Sequence, residues 1–228
     1  MTFVRLHVTS EGQTEEAFVK RILAPHLGAF NVFSDARSVL TSRDKKAYKH
    51  YREGLLSYIK AKADIQTWMK EDGHAECRFT TMFDLYALPD DFPGYTDAKR
   101  ETDPYREVQA LERAMGEDIG DHRFIPYIQL HEFEALILAD VGKLDWEYLD
   151  HDAPIRRLVQ MVGNRNPELI DDTPDGVPSK RILRELPEYD KANLGVLVAE
   201  RIGLEIMKTK CSHFRNWLEL LERLARTR

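Results

Sequence analysis

Phe3-Val4-Arg5-Leu6-His7-Val8-Thr9-Ser10-Glu11-Gly12-Gln13-Thr14-Glu15 is the stretch from which the fold is read. Val4, Leu6 and Val8 alternate with Arg5 and His7, and this period of two predicts a strand with its apolar residues on one face. Ala17, Phe18, Ile22 and Leu23 then recur at helical spacing. The order is strand, tight turn, helix. Thr14 is placed to cap that helix, Glu15 and Glu16 suit its first turn, and Gly28 marks its end. Glu11 closes the strand and Glu15 opens the helix, the position where α/β proteins bind ligands. Carboxylates there are also natural donors to a hard metal ion.

Outward from this unit the same alternation continues. Ala36 to Thr41 reads as a second strand, and Asp44 to Lys70 as a long helix carrying Tyr48, Tyr51, Leu55, Tyr58, Ile59, Ile65 and Met69 at helical spacing. Cys77 to Phe83 reads as a strand ending at Asp84. Leu88 to Gly94 is rich in turn residues, and Asp103-Pro104 starts a helix running to about Met115. Phe124 to Leu130 reads as a further strand, edge-like because of Pro126, followed by a short helix from Glu132 to Leu138. A βαβαβαβα order predicts an α/β fold with a mostly parallel sheet and flanking helices. Beyond residue 140 strand signals stop. Pro154 to Val162, Ser179 to Leu186, Ala192 to Ile202 and His213 to Ala225 read as helices. The expected organisation is an α/β domain over residues 1–140 and a helical region over 141–228 packed on it.

A chain of 228 residues with 43% apolar residues has enough material for a packed core. No apolar run reaches the ~20 residues of a membrane span, and nothing resembles a signal peptide. The two cysteines, Cys77 and Cys211, have neither metal-ligand spacing nor a disulfide framework, so a cytoplasmic, reducing setting is expected. The net charge of −6 argues against global attraction to nucleic acid but leaves room for a local basic surface.

The carboxylates gather at predicted strand ends: Glu11, Asp84, and Glu132 with Glu134. In a parallel sheet these ends share one edge, and carboxylates converging there call for a divalent cation such as Mg²⁺ or Mn²⁺. A plainer reading stands beside each: Glu11 as an exposed turn residue, Glu15 and Glu16 as first-turn residues, Asp84 and Asp90-Asp91 as turn formers. Glu132 and Glu134 share a face on a strand but diverge on a helix, which lets only one of them reach a common site. His131 reads as a structural hydrogen-bonding residue. Arg43, Lys45, Lys46, Lys49, Arg52, Lys60 and Lys62, interleaved with tyrosines, make either a phosphate-tracking surface or a solvated helix face. Ser179, Lys180 and Arg181 at a helix start combine backbone donors and positive charge, an arrangement for phosphate; ordinary capping by Ser179 is the competing account. Cys211-Ser212-His213 lacks a residue to orient the histidine and is not read as a nucleophile–base pair.

Glu11-Gly-Gln-Thr-Glu15, Met82 to Gly94, Tyr127 to Leu136 with its His-Glu-Phe-Glu-Ala-Leu core, Pro178-Ser-Lys-Arg181 and Cys211 to Trp217, in that order, resemble an uncharacterised bacterial family related to Toprim domains. Those domains are the metal-binding folds of topoisomerases, primases and OLD-type nucleases. The resemblance implies Glu11 as metal ligand or general acid/base, Glu15 as a second ligand and Asp84 as the first aspartate of a D-x-D pair. Tyr86 stands where the second aspartate belongs, so Asp90, Asp91, Glu132 or Glu134 must complete the ligand set. It further implies Lys180 as a transition-state lysine, DNA or RNA as substrate, and an ABC-type or AAA-type ATPase as partner in phage-defence or mobile-element systems. The function so implied is a metal-dependent nuclease subunit. The alternative is a non-catalytic partner or sensor of an ATPase, and a small-phosphoester enzyme is a third possibility.

Overall fold

The computed structural model describes residues 3–39, 55, 57–171 and 176–226. Lys45, Lys46 and Lys49, with most of the expected basic helix, lie outside the described residues. The protein is α/β with a mostly parallel sheet flanked by helices. Strands β1 (Val4–Ser10), β2 (Val32–Ser38), β3 (Cys77–Asp84) and β4 (Phe124–Ile125) lie in the order β2-β1-β3-β4, and β5 (Ile128–Gln129) pairs with β3 beyond β4. Every pairing among the described residues is parallel. The C-terminal ends of β1, β3 and β5 therefore meet on one edge.

The two sheet faces follow from the alternation in the strands. Val4, Leu6, Val8 and Met82 pack with residues of the N-terminal and C-terminal helices, including Phe18, Phe214 and Leu218. Phe79 and Phe83 pack on the opposite side with Tyr58, Trp68 and Leu111. Arg5 and His7 point to that second side. Asp72 pairs with both; His7 is covered and stacks on Phe79, while Arg5 stays half-exposed.

Several elements differ from the sequence reading. The first helix, α1 (Gln13–Phe18), runs through a π-helical turn at Val19–Leu23 into α2 (Ala24–Gly28). Its N-cap is Gly12, not Thr14, and the Glu15 side chain bonds back to the Gly12 N–H at 3.1 Å. The second strand lies earlier than Ala36 to Thr41: it is Val32–Ser38, in register with β1 from Val4↔Val32. The described part of the long helix is α3 (Tyr58–Glu71). Its start is capped from a distance, since Asp91 accepts from the Tyr58 N–H at 2.9 Å and the Ser57 hydroxyl at 2.8 Å.

The turn before the short α4 (Tyr95–Ala98) needs glycine: Gly94 has φ 73°, and a Cβ there would lie 2.9 Å from the Ala114 Cβ. Ala114 sits on α5 (Pro104–Ile119), which starts with Asp103 as N-cap as expected and runs four residues past Met115. The strand expected over Phe124 to Leu130 is two short pieces. Between them Tyr127 turns its N–H to the Thr81 hydroxyl, and the preceding Pro126 has no N–H to offer the ladder.

Helix α6 is only Glu134–Ile137, followed by tight turns over Leu138–Trp146. Then come α7 (Asp152–Val162), α8 (Pro178–Glu185), a π-helical turn Lys191–Gly195 leading into α9 (Val196–Ile202), α10 (Leu204–Lys210) and α11 (Ser212–Arg223). Gly203, at φ 79°, separates α9 from α10. The apolar stripe of α11 (Phe214, Trp217, Leu218, Leu221) is buried, and Trp217 donates to the Thr80 hydroxyl of β3 at 3.1 Å. Among the described residues no helix is long and apolar enough to cross a membrane.

Candidate metal centre

At the C-terminal edge of the sheet, Glu11, Asp84, Glu132, Glu134, Ser179, Tyr189 and Lys191 line a cavity of about 800 Å³. Glu11 stands directly after β1, and its backbone N–H continues the strand by donating to Met82 O at 3.1 Å. Its carboxylate accepts the Asp84 N–H at 2.9 Å, so the ends of β1 and β3 lock together through the side chain. Asp84 is the last residue of β3 and Glu15 sits in the first turn of α1; both are buried.

Glu132 and Glu134 both reach the cavity, contrary to the expectation that one would be lost. His131 has φ 61° and Glu134 opens α6 just after the N-cap Phe133, so Glu132 precedes the helix, the two are not on one continuous element, and their carboxylates need not diverge. Glu134 is fully buried. Glu132 accepts the Ser179 N–H, at the start of α8, at 2.9 Å. His131 itself faces Asp171 at 3.3 Å.

A lysine sits among these acids, and it is Lys191, not Lys180. Its Nζ lies 3.2 Å from Asp84 Oδ2, 3.5 Å from Glu15 Oε1 and 3.5 Å from Glu134 Oε2. Lys180 instead holds its Nζ 6.0 Å from the centre of the Tyr86 ring, and Arg181 donates to the Gly176 carbonyl. Tyr189 donates to Glu134 Oε1 at 3.5 Å. Lys191 begins a π-helical turn whose N-cap is Asp190, which accepts the Asn193 N–H. No local sequence pattern ties Lys191 to Asp84, which is 107 residues away.

The electrostatics follow from burial. Loss of water raises Glu11 well above the usual carboxylate range, and Asp84 and Glu15 push it further. Burial also raises Glu15, against the pull of Lys191, and raises Glu132 against its hydrogen bonds to Ser179. Glu134 is taken up to about 8 by burial, with Lys191 opposing and Glu132 and Asp84 adding to the rise. Burial disfavours the Lys191 ammonium, but Asp84, Glu134, Glu15 and Glu11 outweigh it and hold the lysine charged well above its usual range. One lysine does not satisfy them all: Asp84 Oδ1 is buried with no partner, and the buried Glu15 Oε1 and Glu134 Oε2 share the ammonium at the long distance of 3.5 Å.

On the α3-facing side of the sheet, nearer its other edge, His7, Asp72 and Cys77 bring ligand atoms within 4.8 Å of one another, a possible metal-binding group. Among the described residues no other set is so close, and the cavity acids are spread around the Lys191 ammonium instead. In the His7 group Arg5 serves as the cation: it donates to Asp72 at 2.7 Å and to the Cys77 sulfur at 3.3 Å. Cys77 and Cys211 are both free and buried. His213, next to Cys211, pairs with Glu112 at 2.9 Å and stacks on Tyr127, a structural role.

No curated protein and no solved structure matches the chain. A family model does match, over residues 10–222, and that span takes in every carboxylate of the cavity together with Lys191. The chain belongs to the family described as a domain of unknown function, DUF4276.

Proposed function

We propose that the carboxylate cavity is a centre for Mg²⁺ or Mn²⁺ in a Toprim-like nuclease that hydrolyses DNA or RNA phosphodiesters. One observation carries the reading: at the edge where a parallel sheet binds ligands, Asp84 Oδ1 is buried with no partner, and the buried Glu15 Oε1 and Glu134 Oε2 have only the Lys191 ammonium, shared between them at 3.5 Å. A buried oxygen left without a partner, as Asp84 Oδ1 is, costs about 1–3 kcal/mol. An all-oxygen donor set suits a hard divalent ion, so the residues fit the group. Glu11, Glu15, Asp84 and Glu134 would hold it, with Glu132 at the rim. The ion supplies positive charge against a phosphodiester and acidifies water.

The chain's own groups prepare this site. The Asp84 N–H orients Glu11, the Gly12 N–H orients Glu15 and the Ser179 N–H orients Glu132. Lys191, rather than Lys180, offers an ammonium inside the cavity where charge would build on a phosphoryl group. Ser179, Lys180 and Arg181 at the start of α8 are assigned to the neighbouring phosphates of the substrate strand.

A second reading has its own support. Lys191 already sits among Glu15, Asp84 and Glu134 as an internal counter-ion, which favours a non-catalytic Toprim-like partner or sensor of an ATPase. Incubation of plasmid, single-stranded DNA and tRNA with Mn²⁺ separates the two. The nuclease reading expects cleavage by the wild type and none by Glu11→Gln or Asp84→Asn. Equal cleavage by both variants would overturn the site, and an inert wild type would favour the partner role.

A further inference from the structure

Tyr86 stands two residues past Asp84, in the short turn Leu85–Ala87. Its backbone is pinned, because its N–H donates to His131 O at 2.9 Å, on the segment that carries Glu132 and Glu134. Leu85 and Leu88 on either side are buried, yet the Tyr86 ring is 53% exposed and lines the acidic cavity. Leu183 of α8, 41% exposed, lines the same cavity. A single exposed tyrosine needs no explanation. This one presents a π face, from an anchored turn, beside the groups assigned to a phosphodiester. A nucleotide has the matching order of parts, a phosphate and, one sugar away, a flat aromatic base. The cavity volume falls within the ~300–1,000 Å³ of small-ligand sites.

We propose that Tyr86, with Leu183 on the same cavity wall, is a stacking platform for an unpaired nucleobase next to the phosphodiester handled by the carboxylates. The substrate class is then single-stranded nucleic acid, or a strand splayed from a duplex. A base inside an intact duplex has both faces covered by its neighbours and cannot stack on a side chain. Lys180 Nζ lies over the Tyr86 ring, 6.0 Å from its centre, so a stacking base takes the opposite face or displaces this long side chain, which can then meet the adjoining phosphate. This inference rests on the nuclease reading.

The test measures binding of labelled single-stranded and duplex oligonucleotides, with Ca²⁺ in place of Mn²⁺, to wild type, Tyr86→Phe and Tyr86→Ala. A single abasic position is walked along the single strand. The wild type should prefer the single strand and lose affinity when the abasic position reaches the platform. Tyr86→Ala should weaken single-strand binding on the order of ten-fold and remove the abasic penalty; Tyr86→Phe should keep both. Tyr86→Ala indistinguishable from wild type, or equally weakened on duplex and single strand, would overturn the platform. Metal-dependent cleavage lost in Glu11→Gln but unaltered in Tyr86→Ala would sink the platform and leave the nuclease standing. No oligonucleotide binding and no cleavage by the wild type would sink both.

Discussion

Lys191 is the side chain on which the proposed centre turns, because it already pairs with the carboxylates that a divalent ion would need. Its removal should have two opposite effects. Lys191→Met should destabilise the metal-free protein by about 3 kcal/mol, since it strips a counter-ion from buried acids. It should also tighten Mn²⁺ binding, because no ammonium has to be displaced, while abolishing cleavage. Thermal unfolding with and without Mn²⁺ checks this: a variant as stable as wild type without metal, and no more responsive to it, would contradict the counter-ion role. The acids of the centre were legible from sequence, since Glu11, Asp84 and the Glu132–Glu134 pair stand at strand ends. Lys191 was not. Only the packing of its turn against α1 brings it to Asp84, and Lys180 in the conspicuous Pro178–Arg181 motif drew the assignment instead.

At the scale of elements, β1, β3, α5 and α11 were legible because their apolar periods are unbroken. The errors fall where tertiary bonds override local pattern. Tyr127 turns to Thr81 and breaks the fourth strand in two, and α10, which follows Gly203, is missing from the sequence reading, whose helix ends at Ile202. Caps supplied from far along the chain are equally invisible. Glu168, fully buried, accepts the His213 and Phe214 N–H groups at the start of α11, at 3.0 and 2.9 Å, and the Tyr105 hydroxyl at 3.0 Å. It neutralises the positive end of that helix. Glu168→Ala should cost about 3 kcal/mol in chemical denaturation and leave Mn²⁺ affinity unchanged in the folded protein. A loss below 1 kcal/mol would show that water or other groups replace the cap (about the net worth of an ordinary hydrogen bond).

At the scale of the whole molecule, the buried acids set the response to pH. Burial raises Glu11, Glu15 and Glu132, and takes Glu134 from 4.5 to about 8. The folded protein therefore keeps protons that the unfolded chain has released. This contribution to stability is fully present below about pH 4.5 and is lost as pH rises through about 8. Asp121, held near 2 chiefly by its hydrogen bond from Arg123, works in the other direction, but only below its usual value of 3.8. Metal binding needs the carboxylates without their protons, so the stabilisation by Mn²⁺ should grow over the same window. Melting curves at about pH 5.5 and about pH 8 check the sign. A metal-induced shift equal at both values would mean that these acids do not hold the ion.

Calorimetric titration of Mn²⁺ into wild type, Glu11→Gln and Asp84→Asn tests the metal centre most directly. Saturable binding by the wild type, weakened at least about ten-fold in each variant, is the predicted result. Absence of binding by the folded wild type, or binding untouched by both substitutions, would contradict it.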